Sequence, residues 1–152
     1  MSRGYFMVGI EKPKRDTNIG SLCRSAFSFG AKGMFLIKRN NGNGILNQVS
    51  DTVKSWRHIP LLKYDSTEDF LSCGIPHSCE LIGVELHEQA RGLKGFVHPE
   101  RAIYILGSED NGLSQEVIDR CVHLIQLPGK CCLNVAVAGS IVLCDRVLKE
   151  EP

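Results

Sequence analysis

The chain has 152 residues, of which 43% are hydrophobic and 23% are charged, and its formal net charge is +1. This length suits one domain with one core, and the near-neutral charge excludes a polycation without deciding about nucleic-acid binding. No apolar run is long enough to span a bilayer, and the N-terminus lacks the features of a signal peptide. We therefore expect a single-domain cytoplasmic protein with no membrane partner.

The first half of the chain alternates between strand-like and helix-like patterns. Asn18 is a favourable N-cap for a helix to about Phe29, which Gly30 would end. Ser66 should cap a later helix that has acidic residues in its first turn. Strands are predicted at residues 5–10, 33–37 and 59–64, and a further helix at residues 46–56.

The second half continues the alternation. Ser114 should begin one helix, and Asn134 should begin the last one, which runs to about Lys149. The segment 87–95 reads as a polar loop in which His87 lies, and His77 and His98 are also expected at the surface. Strands are predicted at residues 81–86, 102–106 and 122–127.

Such an order of elements predicts an α/β fold, with a mostly parallel sheet and helices on both faces. In these sheets, ligands bind beyond the carboxyl ends of the strands. The loops that should carry function are therefore 11–18, 38–44, 85–95, 107–113 and 128–134.

Seven cysteines are present, and no two of them form a C-x-x-C pair. Cys131 and Cys132 are adjacent, which is a poor geometry for an ordinary disulfide. We interpret the cysteines as small buried thiols in a reducing compartment. The ligand spacing of a zinc site is missing, so no metal is expected.

The first segment of chemical interest, NIGSLCR, follows the first predicted strand. Asn18 stands at the predicted N-cap, and Gly20 removes a side chain from the first helical turn. Arg24 lies about one and a half turns further on, at a spacing that lets it lean back toward the loop. The alternative is a capped helix with a surface arginine, and the pattern alone leaves both interpretations open.

The second segment, LGSEDNGLS, follows the most apolar predicted strand. Gly107 would let a ligand approach the strand end, and Gly112 is expected in a turn conformation that other residues resist. Glu109 could accept hydrogen bonds from a loop or from a ligand. The alternative is an ordinary turn that Ser114 caps.

The third segment, CCLNVAVAGS, opens the last helix. Ala136, Gly139 and Ser140 share one helical face, and small residues there indicate close approach of another backbone. The neighbour could be another helix, a second subunit or a flat ligand, or the face could pack internally on the sheet. The sequence lacks the glycine-rich motif of dinucleotide-binding folds and the phosphate-binding P-loop. It also lacks the nucleophile elbow of hydrolases.

Taken in this order, the three segments resemble the SpoU-type branch of the SPOUT RNA methyltransferases. The first motif of that family is similar to Asn18, Gly20 and Arg24, and the second is similar to Gly107, Glu109, Gly112 and Leu113. The third is similar to Leu127 and Pro128, followed by Leu133, Asn134, Val135, Ala136 and Ala138. The resemblance extends from Tyr5 to Leu148.

The resemblance implies a C-terminal trefoil knot, a homodimer that packs its first and last helices together, and S-adenosylmethionine as cofactor. The implied reaction moves the sulfonium methyl group to a ribose 2′-hydroxyl of tRNA or rRNA. The implied catalytic residues are Arg24, Asn18 and Glu109. The implied cofactor-binding residues are Val84, Gly107, Ile125, Leu127, Leu133 and Asn134.

Many relatives carry additional RNA-binding domains, whereas we expect this single domain to have no separate RNA-binding extension. The RNA would then be bound by Lys12, Lys14, Arg15, Lys38 and Arg39, and its affinity should fall steeply with salt. Ala136 stands where many members carry serine. That departure raises an alternative function, a catalytically silent RNA-binding protein that keeps the knotted fold.

Overall fold

The fold is described from a computed structural model, which covers residues 4–37 and 51–151. Over these residues it contains one seven-stranded sheet in the order β3-β2-β1-β6-β4-β7-β5, and every strand pair is parallel. The strands are β1 (Tyr5–Glu11), β2 (Met34–Ile37), β3 (Leu61–Tyr64), β4 (Glu80–Val84), β5 (Arg91–Gly92), β6 (Arg101–Leu106) and β7 (His123–Gln126). The predicted parallel α/β sheet is confirmed, and the segment predicted as a polar loop contributes the short strand β5.

Helices cover both faces of the sheet, as predicted. The helices are α1 (Asp16–Phe29), α2 (Thr67–Cys73), α3 (Gln115–Arg120) and α4 (Val135–Glu150). Successive side chains of β1 point to opposite faces, so that Phe6 joins the core beneath α1 and α4. Met7 joins the core beneath α2 and α3. The central strands are buried on both faces, which explains their nearly continuous apolar sequences.

Most helix ends follow the local sequence signals. Gly30 ends α1 in the left-handed conformation, with φ of 83°, which glycine adopts without steric cost. The side chains of Ser66, Ser114 and Asn134 cap α2, α3 and α4 as predicted. The predicted N-cap of α1 is wrong, because α1 begins at Asp16 and Asn18 lies inside its first turn.

The prediction of a helix at residues 46–56 fails over its described part. The Asp51 carboxylate accepts hydrogen bonds from the backbone N–H and the hydroxyl of Ser55, which competes with helical backbone pairing. Lys54 has a positive φ of 53°, so a continuous α-helix cannot pass through it. A short 3-10 turn, Ser55–Arg57, forms instead.

A buried polar network ties α4 to the amino end of β6. Arg146 is fully buried, and its guanidinium donates to the carbonyl of Pro99 and the hydroxyl of Tyr104. Tyr104 also contacts His98, which pairs with Asp145. The expectation that His98 lies at the surface is therefore wrong, and its burial lowers the pKa of its imidazole.

The cysteines are less uniform than predicted. Cys23 is buried, whereas Cys73, Cys131 and Cys132 are exposed. Burial raises the pKa of both the Cys23 and the Cys121 thiols to about 12, which keeps them in the unreactive protonated form. The interpretation as buried thiols holds for Cys23, holds only in part for the partly buried Cys121, and fails for the three exposed ones.

Candidate active site at the carboxyl ends of the strands

Loops that follow β4, β6 and β7 surround a cavity of about 450 Å³, which we call the strand-end cavity. Its wall is largely apolar and includes Val84, Leu106, Leu113, Leu127 and Leu133. Leu133 is 44% exposed, so part of its apolar surface is accessible to a ligand in the cavity. The cavity lies where ligands of parallel sheets bind.

Two glycines shape the loop that follows β6. A Cβ atom on Gly107 would lie 2.1 Å from the carbonyl carbon of Gly112, so only glycine lets the loop fold back this closely. Gly112 itself has φ of 63°, a left-handed conformation that side-chain-bearing residues resist, so the special turn conformation predicted for it is confirmed. Because neither residue has a side chain, the loop packs closely against the strand end and its backbone lines the strand-end cavity.

Glu85 is a cavity residue that the sequence analysis did not identify. It directly follows β4, and one of its carboxylate oxygens accepts a 2.8 Å hydrogen bond from the backbone N–H of Leu113. The other oxygen accepts a 3.0 Å bond from the backbone N–H of Leu86. A carboxylate immediately after a buried parallel strand was the signal that could have pointed to it.

A chain of side-chain hydrogen bonds joins the three sequence motifs. Asn18 donates its amide N–H to Glu109, and its amide oxygen accepts a 2.9 Å bond from Asn134 Nδ2. Asn134 Oδ1 caps α4 by accepting from the backbone N–H groups of Ala136 and Val137. Asn18 thus links the loop after β6 to the beginning of the last helix.

Asn134 has two separable tasks, and two substitutions should distinguish them. N134A removes both the cap and the bond to Asn18, so it should lower the free energy of unfolding by about 1 kcal/mol. N134D keeps acceptor oxygens for the cap but cannot donate to Asn18. We expect N134D to keep the wild-type stability in urea denaturation. Its affinity for S-adenosylmethionine, the cofactor that the resemblance implies, should fall in calorimetry. Unchanged affinity would contradict a role for the Asn18–Asn134 bond in binding.

Arg24 is placed differently from its expected lean toward the loop. Its side chain is exposed, and its Nη1 donates a 2.9 Å hydrogen bond to the hydroxyl of Thr52. The guanidinium therefore lies beside the segment that begins the second described range. The amide groups of Asn18 are engaged with Glu109 and Asn134, so the described contacts give Asn18 no direct bond to Arg24.

The predicted basic surface is partly described. Lys12, Lys14 and Arg15 are exposed in the loop between β1 and α1, and Lys14 pairs with Asp110. Lys38 and Arg39 lie outside the described residues. The first three cations thus stand close to the loop that carries Glu109, on the same edge of the sheet as the strand-end cavity.

The predicted cofactor residues fall into two groups. Val84, Gly107, Leu127 and Leu133 line the strand-end cavity together, as does the predicted catalytic residue Glu109. Ile125 is fully buried, and its carbonyl accepts the backbone N–H of Glu85. Asn134 lines a second cavity rather than the strand-end cavity.

This second cavity, of about 580 Å³, lies between α1 and α4, and we call it the interhelix cavity. Asn18, Asn134 and Ala136 line it, so the hydrogen-bond chain from Glu109 connects the two cavities. Ala136 is buried and presents only a methyl group there. The hydroxyl that the family pattern would place at this position is absent.

The small face of α4 packs mainly against another helix. A Cβ atom on Gly139 would lie 2.6 Å from Cδ1 of Leu22 in α1, and the hydroxyls of Ser25 and Ser140 are 2.6 Å apart. Of the alternatives left open by the sequence, close approach of a helix in the same chain accounts for Gly139 and Ser140.

No helix within residues 4–37 and 51–151 has the length and apolarity needed to cross a membrane. The same residues contain no cluster of three His, Cys, Asp or Glu side chains arranged to hold a metal ion. The described site therefore offers glycine-shaped backbone, apolar walls, carboxylates, amides and a nearby guanidinium.

Comparison with known proteins gives these features a context. The model of the SpoU rRNA Methylase family matches residues 5–144. The mouse tRNA (guanosine(18)-2′-O)-methyltransferase TARBP1 is 30% identical over 88% of the chain, which corresponds to 8% of that protein. An uncharacterized tRNA/rRNA methyltransferase of Archaeoglobus fulgidus is 25% identical over 94% of the chain and 64% of its own length. The chain thus spans less than two thirds of either relative.

Solved structures share the fold at lower identity. The AdoMet-bound rRNA methyltransferase of Sinorhizobium meliloti superposes with a TM-score of 0.87, at 22% identity, over 99% of this chain and 59% of that one. The SpoU methyltransferase AviRb of Streptomyces viridochromogenes, in complex with AdoMet, gives a TM-score of 0.84 at 21% identity, over 98% of this chain and 59% of that one. These similarities establish a common fold.

Proposed function

Because the chain belongs to the SpoU rRNA methylase family, we propose that it methylates a ribose 2′-hydroxyl of tRNA or rRNA with S-adenosylmethionine. The observation that carries the proposal is the hydrogen-bond chain from Glu109 through Asn18 to Asn134. It brings three distant motifs together beside a cavity at the strand ends. The chain's similarity to TARBP1, a named 2′-O-methyltransferase, supports the ribose as the acceptor.

The residues of the strand-end cavity suit S-adenosylmethionine. The exposed apolar surface of Leu133, with Val84 and Leu127, matches a flat adenine ring. Gly107 and Gly112 line the cavity with backbone in place of side chains, and Glu85 and Glu109 place negative charge beside a cationic ligand. When bound, the cofactor supplies an activated methyl group and a neutral leaving group.

We assign Arg24 an electrostatic role. A guanidinium keeps its proton at physiological pH and is therefore a poor base. Its five donors suit it to orient the ribose or an adjacent phosphate and to stabilise negative charge that develops on the acceptor oxygen. The bond to Thr52 would be exchanged for a bond to RNA, and the hydroxyl proton would pass to phosphate or water.

Asn18 and Glu109 act as positioning residues in this proposal. Their hydrogen bond fixes the loop after β6 against the first turn of α1. Since Asn18 lines the interhelix cavity and Glu109 lines the strand-end cavity, their hydrogen bond joins the walls of the two cavities.

We further propose that the protein is a homodimer that buries the outer surface of α4. Val137, Ile141 and Leu148 are 48%, 38% and 65% exposed, and together with Cys144 they recur every three or four residues. This spacing places them on one stripe of the helix, which is apolar enough to favour association. A trefoil knot belongs to the same proposal, supported by family membership, and the cytoplasmic location stays a prediction from the sequence.

RNA binding is proposed for the cations of the loop between β1 and α1. Lys12, Lys14 and Arg15 are exposed beside the strand-end cavity, where they could neutralise phosphates next to the target ribose. Lys38 and Arg39 stay predictions from the sequence.

The decisive experiment is single-turnover transfer of labelled methyl groups from S-adenosylmethionine to unmodified total RNA, followed by mapping of ribose methylation. Incorporation at a 2′-hydroxyl is the expected result. Intact RNA binding without incorporation would instead establish the catalytically silent alternative, which the methyl group of Ala136 favours. A136S serves as the matched variant, and faster transfer by it would show that the missing hydroxyl limits the reaction.

A further inference from the structure

The charged side chains of the strand-end cavity have one sign. Among the described residues that line it, the charged ones are Glu85, Glu109 and Asp110, and none is lysine or arginine. Asp110 pairs with Lys14, and Glu109 accepts from Asn18. Glu85 is bonded through the backbone N–H groups of Leu113 and Leu86, so its negative charge is oriented but has no side-chain cation beside it among its described contacts.

The position of Glu85 makes its charge effective inside the cavity. Its side chain is half-buried, and its two backbone bonds of 2.8 and 3.0 Å fix the carboxylate in place. Gly112 approaches so closely that a Cβ there would lie 2.4 Å from Glu85 Oε2. A fixed, partly desolvated carboxylate interacts with a nearby charge more strongly than a mobile one in water.

We propose that Glu85 is a specificity-determining residue that favours the charged methyl donor over its demethylated product. The inference rests on the proposed function, and it adds a role for a residue outside the three motifs. S-adenosylmethionine and S-adenosylhomocysteine differ by one methyl group and one positive charge, at the sulfur. A carboxylate on the cavity wall stabilises the sulfonium form and gives no comparable gain to the neutral thioether, which promotes product release.

A purely structural role for Glu85 makes a different prediction. If the carboxylate only braced the loop at Leu113, its loss would weaken both ligands alike, because both use the same cavity. The ratio of the two affinities therefore separates the charge effect from the bracing effect. This ratio is a binding quantity and does not depend on turnover.

The test measures the affinities of both ligands by calorimetry for the wild type, E85Q, E85D and E88Q. E85Q removes the charge with little change in shape, E85D keeps the charge, and E88Q removes an exposed carboxylate that does not line the cavity. We expect E85Q to lose at least about fivefold in affinity for S-adenosylmethionine. Its affinity for S-adenosylhomocysteine should change by less than about twofold. E88Q should leave both affinities unchanged.

Equal losses for the two ligands in E85Q would overturn the proposal and leave Glu85 a loop brace. Thermal melts of each variant control for folding. Should E85Q not fold, E85A takes its place, because it also removes the charge and only a charge effect changes the ratio of the two affinities. If the wild type binds S-adenosylhomocysteine and S-adenosylmethionine equally, the Glu85 proposal fails while the cofactor assignment stands. If it binds neither ligand, both fail.

Discussion

Replacing Arg24 with alanine is expected to lower single-turnover methyl transfer about 10²- to 10³-fold, while affinity for S-adenosylmethionine stays within about twofold. The physical reason is the position of the guanidinium, which is exposed and bonded to Thr52 and does not line the strand-end cavity. Its proposed interactions are with the substrate and with the charge that develops during transfer. Rapid-quench kinetics and calorimetry on the same preparation measure the two quantities.

A matched control comes from the other face of the sheet. Arg120 lies in α3, and its guanidinium donates to the carbonyl of Leu71, so R120A removes an exposed arginine away from the strand-end cavity. We expect R120A to transfer methyl groups at the wild-type rate. R24K keeps the charge but not the planar set of donors, and should restore only part of the activity. Parallel losses of transfer and cofactor affinity in R24A would contradict the catalytic assignment.

Replacing Arg146 with methionine is expected to lower the free energy of unfolding by about 3 kcal/mol or more. Arg146 is fully buried and pairs with Glu150 in the next turn of α4. Its guanidinium also donates to the carbonyls of Pro99 and Glu100 and lies over the ring of Phe6. Methionine fills much of the volume but cannot donate to the Glu150 carboxylate or to these two carbonyl oxygens.

Urea denaturation of R146M measures this loss, and R101M is its control. Arg101 also lies over an aromatic ring, that of Tyr5, but its side chain is exposed, so we expect a loss below about 1 kcal/mol. The double variant R146M/E150Q should recover part of the stability, because it also removes the charge of the carboxylate that pairs with Arg146 in the wild type. An R146M protein as stable as R101M would show that the buried network contributes little to the fold.

Local sequence signals predicted those parts of the fold that local physics determines. The apolar run of β6 predicted a buried strand because both of its faces meet helices. Gly30, Ser66 and Ser114 predicted helix ends, since the relevant hydrogen bonds join residues only a few positions apart. The same reasoning failed at Asn18, whose side chain bonds to Glu109, 91 residues away.

Long-range partners also explain what was missed in the site and in the core. Glu85 resembles an ordinary loop carboxylate until the loop after β6 folds back and presents the N–H of Leu113. His98 and Arg146 are polar in sequence, and their partners are distant along the chain. His98 pairs with Asp145, 47 positions away, and Arg146 donates to Tyr104, 42 positions away. Resemblance to a family supplied part of this long-range information, because its motifs assigned Asn18, Glu109 and Asn134 to one site before any contact was known.

The bond between Asn18 and Asn134 joins residues that are 116 positions apart. Because synthesis proceeds from the N-terminus to the C-terminus, Asn18 leaves the ribosome long before its partner Asn134. β1 likewise remains without its neighbour β6 in this interval. Such non-local pairing slows folding. A nascent chain that lacks α4 also lacks the Asn18–Asn134 bond and two residues of the cavity wall, Val135 and Ala138, so the strand-end cavity is completed only when this helix has been synthesised.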